Sequence, residues 1–444
     1  MKITFLNFDK YRNIQISDIF HCGFEYWKNN ALRCEYSLYE YQYRKISKRF
    51  EFFRRNIWIS FNAWAGILFL FAMIWEPFND LIIGNEHYKR MVDCERTDLL
   101  IIFGAIAFST FELMWLHLFK NFLCYRSSMD DYLANNIDYD EKQLLPELQL
   151  YLRKFFIISD SITDLSRRLV SFFITIILLI YTIFGCILYH DSRINLFQLI
   201  ISVPFFSFFC RYTKTRAAYF MILSFLIFLI TFHKVRLHQL MLKSQKTLKQ
   251  KSTNSHCHYG HQLFNLKEKM KKIFWNRFHI EYVNLYAKTA QLNRTVSLIL
   301  FYMEIVAKFS IIVSCVFISR QFKINWFNSS SVMTIMGFFF LMVGMNSLIA
   351  TLPSYDQKCG KFILYDLARS QWHRFRMVNQ STNASLLLWR HWIKSNLFVQ
   401  TMTENHFGFT CGQLFFITKS KYTEILLLNL PLILLFYKKI CLSP

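Results

Sequence analysis

Glu304 and Lys308 stand four residues apart inside an otherwise apolar run, 297–319. On a helix that spacing puts both side chains on one face, where they can pair. A charge in the middle of a bilayer costs about 2.5–3.5 kcal/mol on insertion scales, so such a pair is by default a functional candidate. Glu112, in a second apolar run at 99–119, is a candidate third member. These three are read as a coupling point between parts of a helical bundle; the plainer reading is an ion pair that only holds helices together. His256, Cys257, His258 and His261 offer zinc-type donors. Their spacing matches no structural zinc pattern, and the stretch around them is polar, so a solvated loop with no metal is expected. The chain carries no HExxH, no GxSxG elbow and no GxxxxGK[ST] phosphate loop, so neither an enzyme nor a cofactor is expected.

Long apolar segments must position the charged residues. A crossing helix needs about 20 mostly apolar residues, and seven segments qualify: 57–75, 99–119, 169–189, one within 196–232, 297–319, 332–352 and the shorter 422–437. The fourth is ambiguous between 196–209, which contains Pro204, and 217–232. Crossing twice would put the most basic loop on the wrong side, so one crossing is expected, at 217–232, with the earlier run against the outer leaflet. The N-terminal 56 residues and the loops 120–168, 234–296 and 352–422 hold 40 of the 52 Lys and Arg, against 11 in the alternate loops. The positive-inside rule assigns the rich side to the cytoplasm. The expected fold is all-α and polytopic, with seven transmembrane helices, the N-terminus cytoplasmic and the C-terminus extracellular. Its helices extend into a cytoplasmic bundle, because apolar residues also recur at helical spacing in the inner loops, at 144–152 and 263–280.

Composition agrees. The chain is 54% hydrophobic, with 49 Phe and only 11 Gly and 6 Pro, which suits lipid-facing helices; the expected location is the plasma membrane. The net charge of +23 lies in loops beside the spans, where it sets topology and meets anionic membrane lipid; no nucleic-acid partner is expected. Eleven scattered cysteines without a CxxC pair exclude a complete disulfide framework. Residues 1–28 have no uninterrupted apolar core of the kind a signal peptide needs. Of four glycosylation sequons only Asn328-Ser329-Ser330 falls on the outer side, which discriminates nothing.

The layout, with long inner loops, minimal outer loops and a short last helix, resembles the insect gustatory receptor family within the insect chemoreceptor superfamily. That family has a Cys-Gly-x-x-Phe-like stretch just before a last helix bearing Thr-Tyr, five apolar residues and Gln-Phe. Here Cys411, Gly412 and Phe415 match the first element. In the second, Asn429-Leu430, the five apolar residues Pro431 to Leu435, and Phe436-Tyr437 keep the spacing and lose the identities. The resemblance implies a ligand-gated cation channel for small-molecule tastants, a homo- or hetero-tetramer with related receptors whose last helix lines the pore. It also implies a cytoplasmic N-terminal region (1–56), a six-helix bundle holding the ligand (57–352), an oligomerisation region (353–421) and the pore helix (422–444). The departure at Phe436, where the family has Gln, leaves a second reading: a non-conducting, receptor-like membrane interaction protein acting outside taste tissue.

Within the last helix, Leu427, Asn429, Ile433 and Phe436 are expected to share the pore-lining face, with Pro431 as a hinge, since proline removes one helix hydrogen bond. Aromatic, polar and Met side chains in the outer halves of spans three to six are expected to form the ligand pocket: Tyr181, Phe184, Tyr189, Tyr219, Phe220, Ser314, Met333 and Met336. Such pockets are mostly apolar with a few polar groups between helices.

Overall fold

The computed structural model describes residues 15–27, 46–75, 78, 82–83, 96–124, 132, 136, 139–216, 219–253, 262–321, 326–378 and 385–441. They form α1 (Ile16–Trp27), α2 (Ile46–Ile74), α3 (Thr97–Cys124), α4 (Pro146–His190), α5 (Leu196–Arg216), α6 (Tyr219–Thr253), α7 (Gln262–Ser319), α8 (Trp326–Val378) and α9 (Ser385–Glu404). A two-residue ladder follows, β1 (Thr410–Cys411) with β2 (Phe415–Phe416), and then α10 (Lys419–Cys441). The chain is nearly all helix. Among the described residues α3, α4, α6, α7 and α8 contain stretches long and apolar enough to cross a membrane, and Ser60–Ile74 and Leu196–Arg211 are shorter apolar helices. At 58 residues, α7 is about 87 Å long. An apolar bilayer core is about 30 Å thick, so most of α7 runs outside any such layer. The 352/353 boundary is no break, since α8 runs through it with Pro353 inside the helix.

A tight turn sets α4 and α5 antiparallel. Pro146 opens α4, where its missing N–H is one the helix would leave unbonded anyway. At the far end Ser192 takes a left-handed φ of 57°, and the amides of Ser192 and Arg193 bond the carbonyls of Tyr189 and Leu188 at 3.0 and 2.9 Å. This is a Schellman cap. The Asn195 amide then donates to Gln198 Oε1 at 2.9 Å, which starts α5.

This turn fixes relative depth. Tyr181 in the outer part of α4 stacks on Phe206 of α5 at 4.1 Å between ring centroids, and Leu199 of α5 crowds Gly185. Lower on α4, Ser159 bonds Ser224 of α6 at 2.8 Å and Phe156 meets Phe228. The helix beside the third apolar stretch, 169–189, is therefore α5, while the expected crossing, 217–232, falls at the start of α6 and packs lower on α4. Residues 219–232 are apolar for another reason. In α6 an 18-residue apolar window is 67% buried, against 11% in α4. Phe225, Phe228 and Phe232 pack edge-on around Phe20 of α1 at 5.1 to 6.5 Å. α6 is apolar because protein surrounds it; α4 has the exposed apolar face of a helix facing lipid.

The main core joins α1, the lower part of α4, α6, α7, α8 and α9 on the Lys/Arg-rich side. A smaller one joins α2, α3, the upper part of α4 and α5. Buried polar groups knit the larger core. Tyr132 bonds His233 Nε2 at 2.8 Å, and His233 Nδ1 meets Thr289 at 3.0 Å. Thr289 spends its own hydrogen on the Leu285 carbonyl, so Nδ1 is the protonated nitrogen and Nε2 accepts from Tyr132. Burial, helped by the nearby Arg236 and Lys288, pushes the His233 imidazole down to about 3, so it stays neutral. Tyr282 donates to Asp356 at 2.9 Å, and burial raises the Asp356 carboxyl to about 7.

Candidate functional site

Three helices meet at the polar pair the sequence singles out. Lys308 Nζ lies 3.9 Å from Glu304 Oε1 along α7. Asn346 of α8 donates from Nδ2 to Glu304 Oε2 at 3.1 Å. Tyr422, Ile425, Leu426 and Asn429 of α10 close the other side of a small cavity lined by these groups. Asn346 and Asn429 are each 6% exposed, and the Oδ1 of each has no hydrogen-bond partner among the described residues. The cavity holds about 20 Å³, enough for one water. A charge, its counter-ion and two amides thus form a joint between the α7–α8 pair and the last helix.

The start of α10 is held by the element that carries the Cys-Gly motif. Gly412 turns the hairpin at φ 56°, a conformation open to glycine and strained for other residues. Its amide bonds the Ser297 carbonyl of α7 at 2.8 Å, and a Cβ at Gly412 would lie 3.2 Å from Cβ of Phe301. Asn293 clasps Thr410, accepting its amide at 3.0 Å. Cys411 is buried and Phe415 packs against the main core. The chain then enters α10 at once: Thr418 caps it, its Oγ1 accepting from the Lys421 amide at 3.2 Å.

The expected pore face is divided. Leu427 is 58% exposed and Asn429 6%, as expected for residues two apart and so about 200° around a helix. Asn429 belongs to the joint. The outward stripe is Leu427, Pro431 and Leu434, at i, i+4 and i+7. Ile433 and Phe436 lie in α10, with side chains outside the described residues. Pro431 falls one turn beyond Leu427, whose carbonyl it leaves without a helix donor.

The other candidates separate in the same way. Glu112 is fully buried and accepts from Ser60 of α2 at 2.8 Å; it does not line the cavity at Glu304. Tyr181 is buried against Phe69 and Phe206, with Phe184 packed on the same cluster. Ser314 is buried in α7, Met336 packs against Phe317 and Val332, and Tyr189 and Met333 are exposed. Tyr219 and Phe220 begin α6 at the far end of α5 from Tyr189, about 30 Å along the helix axis. That places their backbone apart from Tyr189 along the fold; their side chains lie outside the described residues. So do His256, Cys257, His258 and His261; among the described residues no three metal-ligating side chains cluster. Asn328 of the outer sequon is 3% exposed and donates to Gln321, a poor position for a glycan.

Sequence reasoning missed Asn346 and Asn293. The signal for Asn346 was present, since a lone amide in an apolar run needs a partner. Asn293 gave none.

No model of a protein family and no curated protein matches the sequence. Among solved structures the chain is similar to the insect olfactory receptor OR5 from Machilis hrabei, solved in complex with eugenol. The TM-score is 0.57 at 10% identity, over 97% of this chain and 100% of that one. At that identity the likeness is one of architecture: this chain shares the fold of that insect olfactory receptor.

Proposed function

We propose that this chain is a chemosensory receptor of the gustatory type, a ligand-gated cation channel of the plasma membrane. Four related subunits would surround a pore lined by α10. The observation that carries the reading is the joint of Glu304, Lys308, Asn346 and Asn429, through which movement of α7 and α8 reaches the last helix. The relative with this fold was solved with a small molecule bound, which supports a small-molecule ligand here. Such a ligand shifts the closed–open equilibrium only by its differential affinity for the two states. The pore face is assigned to the outward stripe of Leu427, Pro431 and Leu434.

The topology follows the charge rule better with α5 as the fourth crossing. Arg211, Lys214 and Arg216 then join the basic side together with all of α6. That side is taken as cytoplasmic, so the N-terminus is inside and α10 runs outward.

Whole-cell recording with a panel of tastants, from cells carrying the chain at the surface alone and with a receptor partner, tests the proposal. The expected result is a ligand-evoked cation current lost in Leu427→Lys. Silence in both settings despite surface delivery would overturn it and favour the non-conducting reading, which the Phe436 departure from the family motif supports.

A further inference from the structure

A cleft far from the joint has the chemistry of an anion site. It lies between residues 139–144, α6 and α7, and holds about 550 Å³, within the usual range for small-molecule pockets. Its lining contains Lys142, Arg236, Lys243 and Arg277 against Asp140 and Glu281, an excess of two positive charges. Both acids are engaged: Glu281 takes Arg277 Nε at 2.9 Å, and Asp140 accepts the Lys142 amide at 3.0 Å. The Arg236 guanidinium is held over the rings of Tyr139 and Phe232, at 5.7 and 5.8 Å.

Gln239 supplies the second, independent observation. It is 4% exposed, and its Nε2 donates to the Gln143 carbonyl at 2.6 Å. That bond fixes which end of the amide is which. The remaining oxygen, Oε1, is buried with no partner among the described residues, in a residue that lines the cleft. A buried acceptor left unbonded costs about 1–3 kcal/mol, so a ligand with a hydroxyl or N–H donor would be favoured where a small turn of the Gln239 side chain brings Oε1 to the cleft. Cations for an anion and an orphan acceptor for a donor together describe a hydroxyl-bearing phosphate ester.

We infer that this cleft binds a small soluble phosphate ester of a polyol or nucleoside on the cytoplasmic side. Lipid headgroups share that chemistry, but the lining residues of α7, 277–285, lie 12 to 20 residues before the fifth apolar stretch at 297, about 18–30 Å of helix. The soluble source is therefore the one assigned. The inference is independent of whether the chain conducts.

The test is calorimetric titration of the purified full-length chain with inositol 1,4,5-trisphosphate at physiological salt. A parallel arm uses phosphatidylcholine nanodiscs with and without phosphatidylinositol 4,5-bisphosphate. Saturable one-to-one binding of the soluble probe is expected. It should weaken about tenfold in Arg236→Gln and about fivefold in Gln239→Leu. Lys142→Gln, at an exposed rim position that cannot unfold the chain, should weaken it severalfold, and Lys421→Gln on α10 should leave it unchanged. No saturable binding, or equal loss in Lys142→Gln and Lys421→Gln, would overturn the site as mere attraction to a basic protein. Sensitivity to Lys142→Gln in the lipid arm alone would overturn the soluble assignment.

Discussion

Asn346 of α8 gives a hydrogen bond to Glu304 of α7 at 3.1 Å, and with that bond made its own Oδ1 is left buried in the cavity that Asn429 of α10 closes. One amide thus ties the intramembrane charge to one helix while facing another. Replacing Asn346 with Leu removes the tie and keeps the number and branching of side-chain heavy atoms. The expected cost is about 0.5–1.5 kcal/mol, the range for interhelical polar contacts in membranes, seen as a lower melting temperature in detergent. A variant as stable as the parent would show that the bond contributes nothing.

Lys308→Met leaves the largely enclosed Glu304 without its cation, and Glu304→Gln removes the charge that needs it. The double variant should therefore be more stable than Lys308→Met alone, because stranding the more enclosed member of a half-buried pair costs more than removing both. Thermal denaturation of the two singles and the double gives the coupling. Simple additivity would mean the pair does not interact.

The charged pair, the apolar runs within α3, α4, α7 and α8 and the Cys-Gly turn were all legible in the sequence, because each depends on local spacing. The packing of the 196–232 region was not. Hydropathy gives 219–232 the same apolar character whether lipid or protein covers it, and only the structure brings the rings of Phe20 and Phe156 against Phe225, Phe228 and Phe232. The faces of α10 were misassigned because Leu427 and Asn429 were placed together despite sitting two residues apart, half a turn away from each other. The His233 chain and the cleft at Gln239 were invisible for another reason. Both unite residues about a hundred positions apart, Tyr132 with His233 and Gln143 with Gln239.

Cysteine labelling settles which run crosses. In intact cells an impermeant thiol reagent should reach Ser192→Cys, at the turn after α4. It should reach Arg211→Cys only after permeabilisation. Labelling of Arg211→Cys from outside would restore 217–232 as the crossing.

Gly412→Ala should destabilise the chain by roughly 1–2 kcal/mol, the cost of a left-handed backbone at a residue with a Cβ. Contact with Phe301 adds to this. Reduced surface delivery and a lower melting temperature are the readouts, and an unchanged variant would show the hairpin to be free to re-form otherwise.

Asp356 makes stability pH-dependent. Burial raises its folded value to about 7 from an ordinary 3.8, so between about pH 4 and 7 the folded chain keeps a proton that the unfolded chain has released. Its contribution is full below pH 4 and is lost as the pH rises through 7. Melting temperatures at pH 5.5 and 8 should fall with pH in the parent and fall less in Asp356→Asn. Equal slopes would exclude this carboxyl as the source.

Because the hairpin is clasped by Asn293 and Ser297 and passes into α10 through Thr418, the last helix works as a lever with its fulcrum at Thr418. Pro431 stands 13 residues along it, about 20 Å from the pivot. A swing of about 10° there would carry Pro431 roughly 3 Å sideways, while the clasp itself barely shifts. Displacement at the outer part of α10 is therefore set by angle at its inner end, and the short ladder before it fixes the zero of that angle.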